Sequence, residues 1–208
     1  MSSETGCVNP QVQPILDSGL PVIWVLGGPG SGKGTQCDKI VATYNFEHIS
    51  SGDLLRLEVS KQSERAQALQ AIMNEGKLVP MDIVLDLIRE AMLEGLKKNK
   101  NGFLIDGYPR ELIQGLTFEK SIVPVNVILY FECQEQTLID RLLNRGKTSG
   151  RQDDNIDTIK NRLQTFLTNN DAILKEFEGK LVRINAERSV DEIFVDVKAA
   201  LDKLTAKK

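Results

Sequence analysis

Residues 21–35 read Pro21-Val-Ile-Trp-Val-Leu-Gly-Gly-Pro-Gly-Ser-Gly-Lys33-Gly-Thr35, and this stretch decides the fold of the chain. The apolar run before the glycines is typical of a strand buried on both faces of a parallel sheet. Gly27, Gly32 and Lys33 have the spacing G-x-x-x-x-G-K, in which backbone N–H groups and the start of the next helix surround an anion. The stretch therefore predicts a strand, a phosphate-binding loop and a helix.

One position departs from that motif. Gly34 stands where a Ser or Thr hydroxyl usually ligates magnesium, and Thr35 follows one residue later. The motif thus leaves open whether a hydroxyl holds the metal directly. The alternative interpretation is a glycine-rich turn with a chance lysine, which the flanking strand and helix make less favourable.

The rest of the chain alternates between short apolar runs and helical patterns. Further strands are predicted at residues 46–50, 102–106, 125–131 and 181–185, and helices at residues 82–96 and 155–177. Gly76 and Pro80 predict a break between two helices, and Ser189-Val-Asp-Glu192 predicts a capping box that opens the last helix. This alternation is typical of an α/β fold with a parallel sheet covered on both faces.

Length and composition limit the possible classes. The 208 residues suit one domain, and 41% hydrophobic with 26% charged residues is ordinary globular usage. The net charge of −3 argues against an extended nucleic-acid surface. The three cysteines, Cys7, Cys37 and Cys133, match neither a disulfide framework nor a zinc motif, which favours a reducing compartment. Without a signal peptide, an acylation glycine or a membrane span, a cytoplasmic location without membrane attachment is expected.

Arginines stand in several loop-like contexts. Phosphate transfer between two nucleotides brings many negative charges into one site and therefore requires several cations. The planar guanidinium suits this task because it binds phosphate oxygens from fixed directions. The candidates are Arg56, Arg110, Arg145, Arg151 and Arg162. The segment from Arg145 to Arg151 also contains two glycines, which permit movement of a basic flap.

Two further residues receive structural interpretations. Arg141 precedes Arg145 by four residues and is expected to be a solvated surface charge that supports its helix. His48, the one histidine of the chain, is expected to be a packing or surface residue rather than a catalyst.

Five motifs together resemble the adenylate kinase family of nucleoside-monophosphate kinases, in its short-lid, cytosolic animal form. In order, they are residues 27–35, Ser50-Ser-Gly-Asp-Leu-Leu-Arg56, Gly76-Lys-Leu-Val-Pro80, Phe103-Leu-Ile-Asp-Gly-Tyr-Pro-Arg110 and residues 145–155. The resemblance covers about residues 21–205. It implies a P-loop nucleotide kinase fold with a five-stranded parallel sheet and helices on both faces. It also implies one kinase domain at residues 21–208, with an AMP-binding helical insert at about 50–79 and a lid at about 145–155. Residues 1–20 are then an N-terminal extension outside the core.

The resemblance further implies two nucleotide sites and a reversible, magnesium-dependent transfer of phosphate from ATP to AMP that gives two ADP. ATP would lie against Gly30, Ser31, Gly32, Lys33, Gly34, Thr35, Arg145 and Arg188. AMP would lie against Ser51, Arg56, Lys77, Leu78, Val79, Gly107, Tyr108, Pro109, Arg110, Gln114, Arg151 and Arg162. Catalysis would rest on Lys33, Arg110, Arg145, Arg151 and Arg162. Asp106 would hold Mg²⁺ through water. The nucleotides would be the only partners of a monomer.

Two positions depart from the family pattern. Ser51 replaces the usual threonine and retains a hydroxyl. Arg188 replaces the usual glycine, whose carbonyl contacts the ATP base. Either the Arg188 side chain points into solvent, which requires a negative φ, or its guanidinium stacks on adenine.

Two other functions stay open at this stage. A UMP/CMP kinase shares the phosphate loop and the arginines, and differs only in the pocket for the acceptor base. Gln114, Tyr108 and Ser51 favour adenine there, because the amide of Gln114 suits the N6/N1 edge. A non-kinase ATP-binding switch is the alternative from another class, although five arginines exceed the need of one nucleotide.

Overall fold

The structure is a computed structural model that describes residues 10–61, 63–149 and 155–205. Five strands run along these residues: β1 (Val22–Gly27), β2 (Glu47–Ser50), β3 (Phe103–Asp106), β4 (Val127–Glu132) and β5 (Leu181–Asn185). The α-helices are α1 (Gln13–Asp17), α2 (Lys33–Tyr44), α3 (Ser51–Val59), α4 (Glu64–Asn74), α5 (Met81–Leu96), α6 (Leu112–Ser121), α7 (Glu135–Gly146), α8 (Ile156–Glu176) and α9 (Val190–Thr205). A short 3₁₀ helix, Glu178–Lys180, precedes β5.

The strands form one parallel sheet in the order β2-β3-β1-β4-β5. Each strand lies within two residues of a run predicted from the sequence, so the predicted α/β fold with a five-stranded parallel sheet is confirmed. β1 is central, between β3 and β4. From β1 the chain first builds β2 and β3 on one side of the sheet, and it then crosses to build β4 and β5 on the other side. In sheets of this kind ligands bind beyond the carboxyl ends of the strands at that crossing. The loop after β1 occupies this position.

Side chains of the strands alternate between two cores. Trp24 and Ile105 face one core, with residues of α5, α6 and α8. Val25 and Leu104 face the other core, with residues of α2 and α9. All four strand residues are completely buried. Helices on both faces therefore explain why these strands are almost continuously apolar.

Trp24 is the centre of the first core. Its ring meets Phe118 and Phe177 edge-on, with centroids 5.4 and 5.1 Å apart. Such pairs contribute about 0.5–1.5 kcal/mol each beyond the area that they bury. Gly115 lets α6 approach closely, since a Cβ there would lie 2.9 Å from the Phe177 ring. These contacts fix α6 and the end of α8 against β1.

The helix boundaries follow local sequence signals. Ser189 and Glu192 bond reciprocally at the start of α9, as the predicted capping box requires. The predicted break between helices is also confirmed, because residues 75–80 separate α4 from α5 and Gly76 has a φ of 69°. The Asn155 side chain accepts a hydrogen bond from the Thr158 backbone and caps α8.

The N-terminal segment differs from its prediction. Residues 1–20 are expected to lie outside the core, and this is wrong for Val12 and Ile15, which are 1% and 2% exposed in the core around Trp24. The sequence conceals this packing because the segment is short and contains two prolines. Its apolar positions at 12, 15 and 16 nevertheless have helical spacing. Residues 1–9 lie outside the described part of the chain.

Among the described residues, no helix is both long enough and apolar enough to cross a bilayer.

The packing of α1 predicts a measurable contribution to stability. Ile15→Ala should lower the free energy of unfolding by about 2–5 kcal/mol, because it leaves a cavity in the core. Val195→Ala is the control, since Val195 is 65% exposed on α9 and should change that free energy by no more than about 0.5 kcal/mol. Urea unfolding followed by circular dichroism measures both values. Equal values for the two variants would contradict the packing of α1.

Candidate active site

The loop after β1 needs glycine for two reasons. Gly27, Gly30 and Gly32 have φ values of 142°, 87° and 89°, a range that side chains with a Cβ rarely adopt. At Gly27 a Cβ would also lie 2.7 Å from the carbonyl oxygen of Phe131, and at Gly30 it would lie 2.7 Å from that of Leu138. The loop is thus held tightly against β4 and α7.

Helix α2 offers an open N-terminus to this loop. Among the described residues no side chain caps it, and its first turn contains no acidic residue. Its first N–H groups and its positive dipole end are therefore available to an anion.

Lys33 folds back over the loop. Its Nζ donates hydrogen bonds to the carbonyl oxygens of Gly27 and Gly28, at 2.8 and 2.9 Å. Burial lowers the pKa of Lys33 to about 8, although the nearby charge of Asp106 opposes that shift. A bound polyphosphate would stabilise the charged ammonium and raise this pKa.

A cleft of about 670 Å³ opens in front of the loop. Its described lining carries seven basic side chains and only three carboxylates, those of Asp38, Asp53 and Asp106. The basic side chains belong to Lys33, Arg56, Lys77, Arg110, Arg141, Arg145 and Arg162. The whole chain has a net charge of −3, so the cleft is positively charged although the protein as a whole is acidic. A concave surface with this charge attracts anionic ligands.

The structure brings most of the predicted site residues together. Those that line the cleft are Gly30, Gly32, Lys33, Gly34, Thr35, Arg56, Lys77, Leu78, Val79, Asp106, Gly107, Pro109, Arg110, Arg145 and Arg162. Ser31 is buried beneath the loop, with its hydroxyl 3.4 Å from the ammonium of Lys33. Arg151 lies outside the described residues. The individual roles of all these residues stay predictions.

A small recess adjoins the cleft beside α3 and α6. Leu55, Leu78, Val79 and Val84 supply apolar walls, and the remaining lining residues are Ser51, Gly107, Tyr108, Arg110 and Gln114. The recess has a volume of only about 10 Å³ and combines apolar walls with a few polar groups, so it would have to widen to admit an aromatic base.

The carbonyl of Gly107 organises the polar side of this recess. Its oxygen accepts hydrogen bonds from the Ser51 hydroxyl at 2.9 Å and from Arg110 Nε at 3.0 Å. Gly107 has a φ of 73°, which favours glycine there. These bonds orient the Arg110 guanidinium at the border between the recess and the cleft.

Gln114 is 3% exposed and is fixed by its neighbours. Its side-chain Oε1 accepts a hydrogen bond from the backbone N–H of Arg110 at 2.8 Å. Its backbone carbonyl accepts a hydrogen bond from the Tyr108 hydroxyl at 2.8 Å. Turning the amide over would break the bond to Arg110. The positions of the acceptor Oε1 and of the donor Nε2 relative to the recess are therefore fixed.

Asp106 ends β3 and faces the cleft. Its Oδ1 is buried and has no hydrogen-bond partner among the described residues. Carboxylate oxygens suit Mg²⁺, which keeps most of its water and needs few protein ligands. Asp106 therefore fits the part of a water-mediated magnesium ligand, without a hydroxyl at position 34.

Arg141 is a residue whose contribution the sequence interpretation missed. It is not a solvated surface charge, because it lines the cleft and its guanidinium donates to the carbonyl of Ala186 at 3.0 Å. The available signal is its spacing of four residues from Arg145, which places both on one face of α7. The same helical spacing on α8 brings Phe166 and Asn170 to the cleft with Arg162.

Arg188 lies away from the described lining of the cleft. Its guanidinium pairs with the carboxylate of Asp196 on α9, and its Nε donates to the Asn185 carbonyl at 3.3 Å. Among the described residues other than glycine, positive φ occurs only at Asn45 and Asn99. Arg188 therefore has the negative φ that the first alternative requires, but its guanidinium is held by Asp196 and does not point freely into solvent. Its part in binding ATP stays a prediction.

The parallel sheet, the phosphate loop and the arginine-lined cleft define a P-loop nucleotide kinase. The family model described as adenylate kinase matches residues 25–182. The chain is 56% identical to adenylate kinase isoenzyme 1 of Caenorhabditis elegans over 201 residues, 96% of each chain. It is 55% identical to adenylate kinase isoenzyme 1 of Gallus gallus over 88% of this chain and 95% of that one. A uridylate kinase of Saccharomyces cerevisiae is 47% identical over 88% and 91%.

The chain belongs to the adenylate kinase family, and it is a nucleoside-monophosphate kinase.

The position of Lys33 predicts the effect of its removal. Lys33→Met keeps an unbranched stem but removes the cation from the loop, and it should lower kcat/KM by about 100-fold or more, or about 2.7 kcal/mol of transition-state stabilisation. Lys39→Met is the matched control, because Lys39 lies on the same helix and pairs with Asp191 at the surface. Its kcat/KM should stay within about twofold of the unmodified value. A Lys33→Met protein that keeps a third of normal turnover would show that the loop lysine is not catalytic.

Proposed function

We propose that this protein catalyses the reversible transfer of the γ-phosphoryl group from ATP to AMP, giving two ADP, and thereby balances the adenine nucleotides. One observation carries the proposal. The phosphate loop and the recess at Gln114 lie at two separate parts of one basic concave surface, and this arrangement suits two nucleotides. Seven cations exceed what one nucleotide needs, which favours a kinase over a switch that only binds ATP.

ATP is placed on the side of the phosphate loop. The open N-terminus of α2 and the ammonium of Lys33 suit the β- and γ-phosphates. Arg145 and Arg141 lie on α7, on the same side of the cleft, and are suited to the rest of the nucleotide.

AMP is placed in the recess. The amide of Gln114 already accepts one hydrogen bond from Arg110, and its oxygen has a second lone pair. With its oxygen and its N–H groups, this amide can accept from the amino group of adenine and donate to N1. Val79 and Leu55 would then cover the base. Arg56 and Arg110 lie at the border of the recess with the cleft, where the phosphate of AMP would be.

The reaction needs no side chain as base or nucleophile. The AMP phosphate is ionised near neutral pH, because the second pKa of phosphomonoesters is about 6. The tasks of the protein are to hold the two phosphates in line and to neutralise charge in the transition state with Lys33 and the arginines. Excluding water from the cleft prevents the transfer of phosphate to water.

Magnesium is part of this proposal, with Asp106 as its water-mediated ligand. When bound, the ion would neutralise part of the phosphate charge. Asp106 is suited to this part by its unpaired Oδ1 and by its position at the end of β3.

A cytoplasmic location is also part of the proposal. The free thiols of Cys37 and Cys133 support it, because such thiols are typical of a reducing compartment. That the protein is a monomer stays a prediction.

A uridylate kinase activity is the second candidate. The 47% identity to the yeast protein of that name favours it, since both chains would share the phosphate loop and the arginines. The difference would lie in the recess, where uracil presents a different order of donor and acceptor from adenine. The fixed amide of Gln114 favours adenine.

A panel of acceptors tests the proposal. With MgATP as donor, the rate of nucleoside diphosphate formation should be greatest with AMP, and lower with UMP, CMP and GMP at matched concentrations. The equilibrium constant with AMP should lie near one, because one phosphoanhydride replaces another. A coupled assay measures the rates, and Lys33→Met protein purified in the same way gives the background from host kinases. A greater rate with UMP than with AMP would overturn the assignment of AMP and favour the second candidate.

A further inference from the structure

Three metal-binding side chains meet beneath the phosphate loop. Cys37 lies one turn after Lys33 in α2, His48 lies in β2, and Asp106 ends β3. The register pairs His48 with Leu104, so His48 and Asp106 project from the same face of the sheet, which α2 covers. The thiol sulfur, an imidazole nitrogen and a carboxylate oxygen lie within 4.8 Å of one another.

Two atoms of this group are left without hydrogen bonds. His48 Nε2 and Asp106 Oδ1 are buried and have no partner among the described residues. His48 Nε2 lies 3.6 Å from Asp106 Oδ2, which is within ion-pair distance but too far for a hydrogen bond. Buried polar atoms without a hydrogen bond are destabilising, so a ligand that satisfied both atoms would be favourable here.

The ligand set indicates the kind of ion. Mg²⁺ prefers oxygen ligands, whereas thiolate and imidazole are the ligands of Zn²⁺ and similar transition metals. In a tetrahedral zinc site the ligand atoms lie about 3.3–3.8 Å apart, as bond lengths of about 2.0–2.3 Å require. Contraction of the trio by roughly 1 Å would reach this geometry, which is a small change for side chains.

We propose that Cys37, His48 and Asp106 form a site for Zn²⁺ or a similar divalent transition-metal ion, with its fourth position open to water from the cleft. Coordination replaces the S–H bond of Cys37 by a metal–sulfur bond and releases one proton to solvent. The side chains of His48 and Asp106 are 23% and 13% exposed, which leaves a path from the cleft.

This site and the proposed magnesium position share Asp106. A carboxylate drawn toward Cys37 and His48 no longer faces the water shell of Mg²⁺, and a second divalent cation close to Lys33 opposes the charge that the loop lysine must carry. The bound ion should therefore inhibit phosphoryl transfer, and MgATP should oppose its binding. This consequence rests on the proposed function, whereas binding of the metal does not.

Cobalt provides a direct test of the site. The chain contains three cysteines, so the variant Cys7→Ser/Cys133→Ala keeps Cys37 as its only thiol. Titration of this protein with Co²⁺ should give one bound ion per chain, a thiolate-to-cobalt charge-transfer band and the intense visible bands of tetrahedral cobalt. Adding His48→Gln should weaken cobalt binding at least about tenfold. Even the substitution of a residue that only hydrogen-bonds to a metal ligand lowers metal affinity by about 10–100-fold. Circular dichroism and thermal unfolding confirm that each variant is folded.

Two results would overturn the site. The first is the absence of a charge-transfer band from the protein in which Cys37 is the only thiol. The second is equal cobalt affinity with and without His48→Gln. The same two proteins then test inhibition by Zn²⁺, where His48→Gln should raise the inhibitory concentration at least about tenfold. If the unmodified protein transferred no phosphate to AMP, the proposed function would fail, while the cobalt spectra would still decide the metal site.

Discussion

The structure depends on the close approach of the loop at the end of β1 to β4 and α7. Gly27 and Gly30 leave no room for a Cβ there, and their positive φ values require glycine. The strand before them is buried on both faces, so the loop cannot move without disturbing two cores. The helix after them begins without a cap. A rigid sheet therefore presents unpaired N–H groups at a fixed place, and the other site residues are arranged around that place.

The concentration of positive charge follows from the same requirement. The basic side chains of the cleft repel one another, and only Asp38, Asp53 and Asp106 oppose them within the described lining. The ion pair of Arg56 with Asp53 reduces this repulsion in part. Two bound nucleotides would supply the missing negative charge, so they should stabilise the folded protein. Functional sites commonly sacrifice stability in this way.

The sequence predicts the framework better than the cleft. Strands are found within two residues because most of them are apolar runs between turn residues, and the capping box at Ser189 depends only on local bonds. The burial of Ile15 depends on a distant core and is missed. Arg141 is misjudged because a single arginine on a helix is usually solvated. The meeting of Cys37, His48 and Asp106 depends on strand order and register, which no local pattern contains.

The central claim is that two nucleotides occupy one continuous basic cleft. Calorimetric titration with a bisubstrate mimic, two adenosines joined through five phosphates, tests it most directly. Because one ligand spans both places and loses its free motion only once, it should bind at least about 100-fold more tightly than ATP, with one mimic per chain. ATP and AMP should each compete with it. An affinity equal to that of ATP alone, or a failure of AMP to compete, would contradict the account and indicate a single nucleotide site.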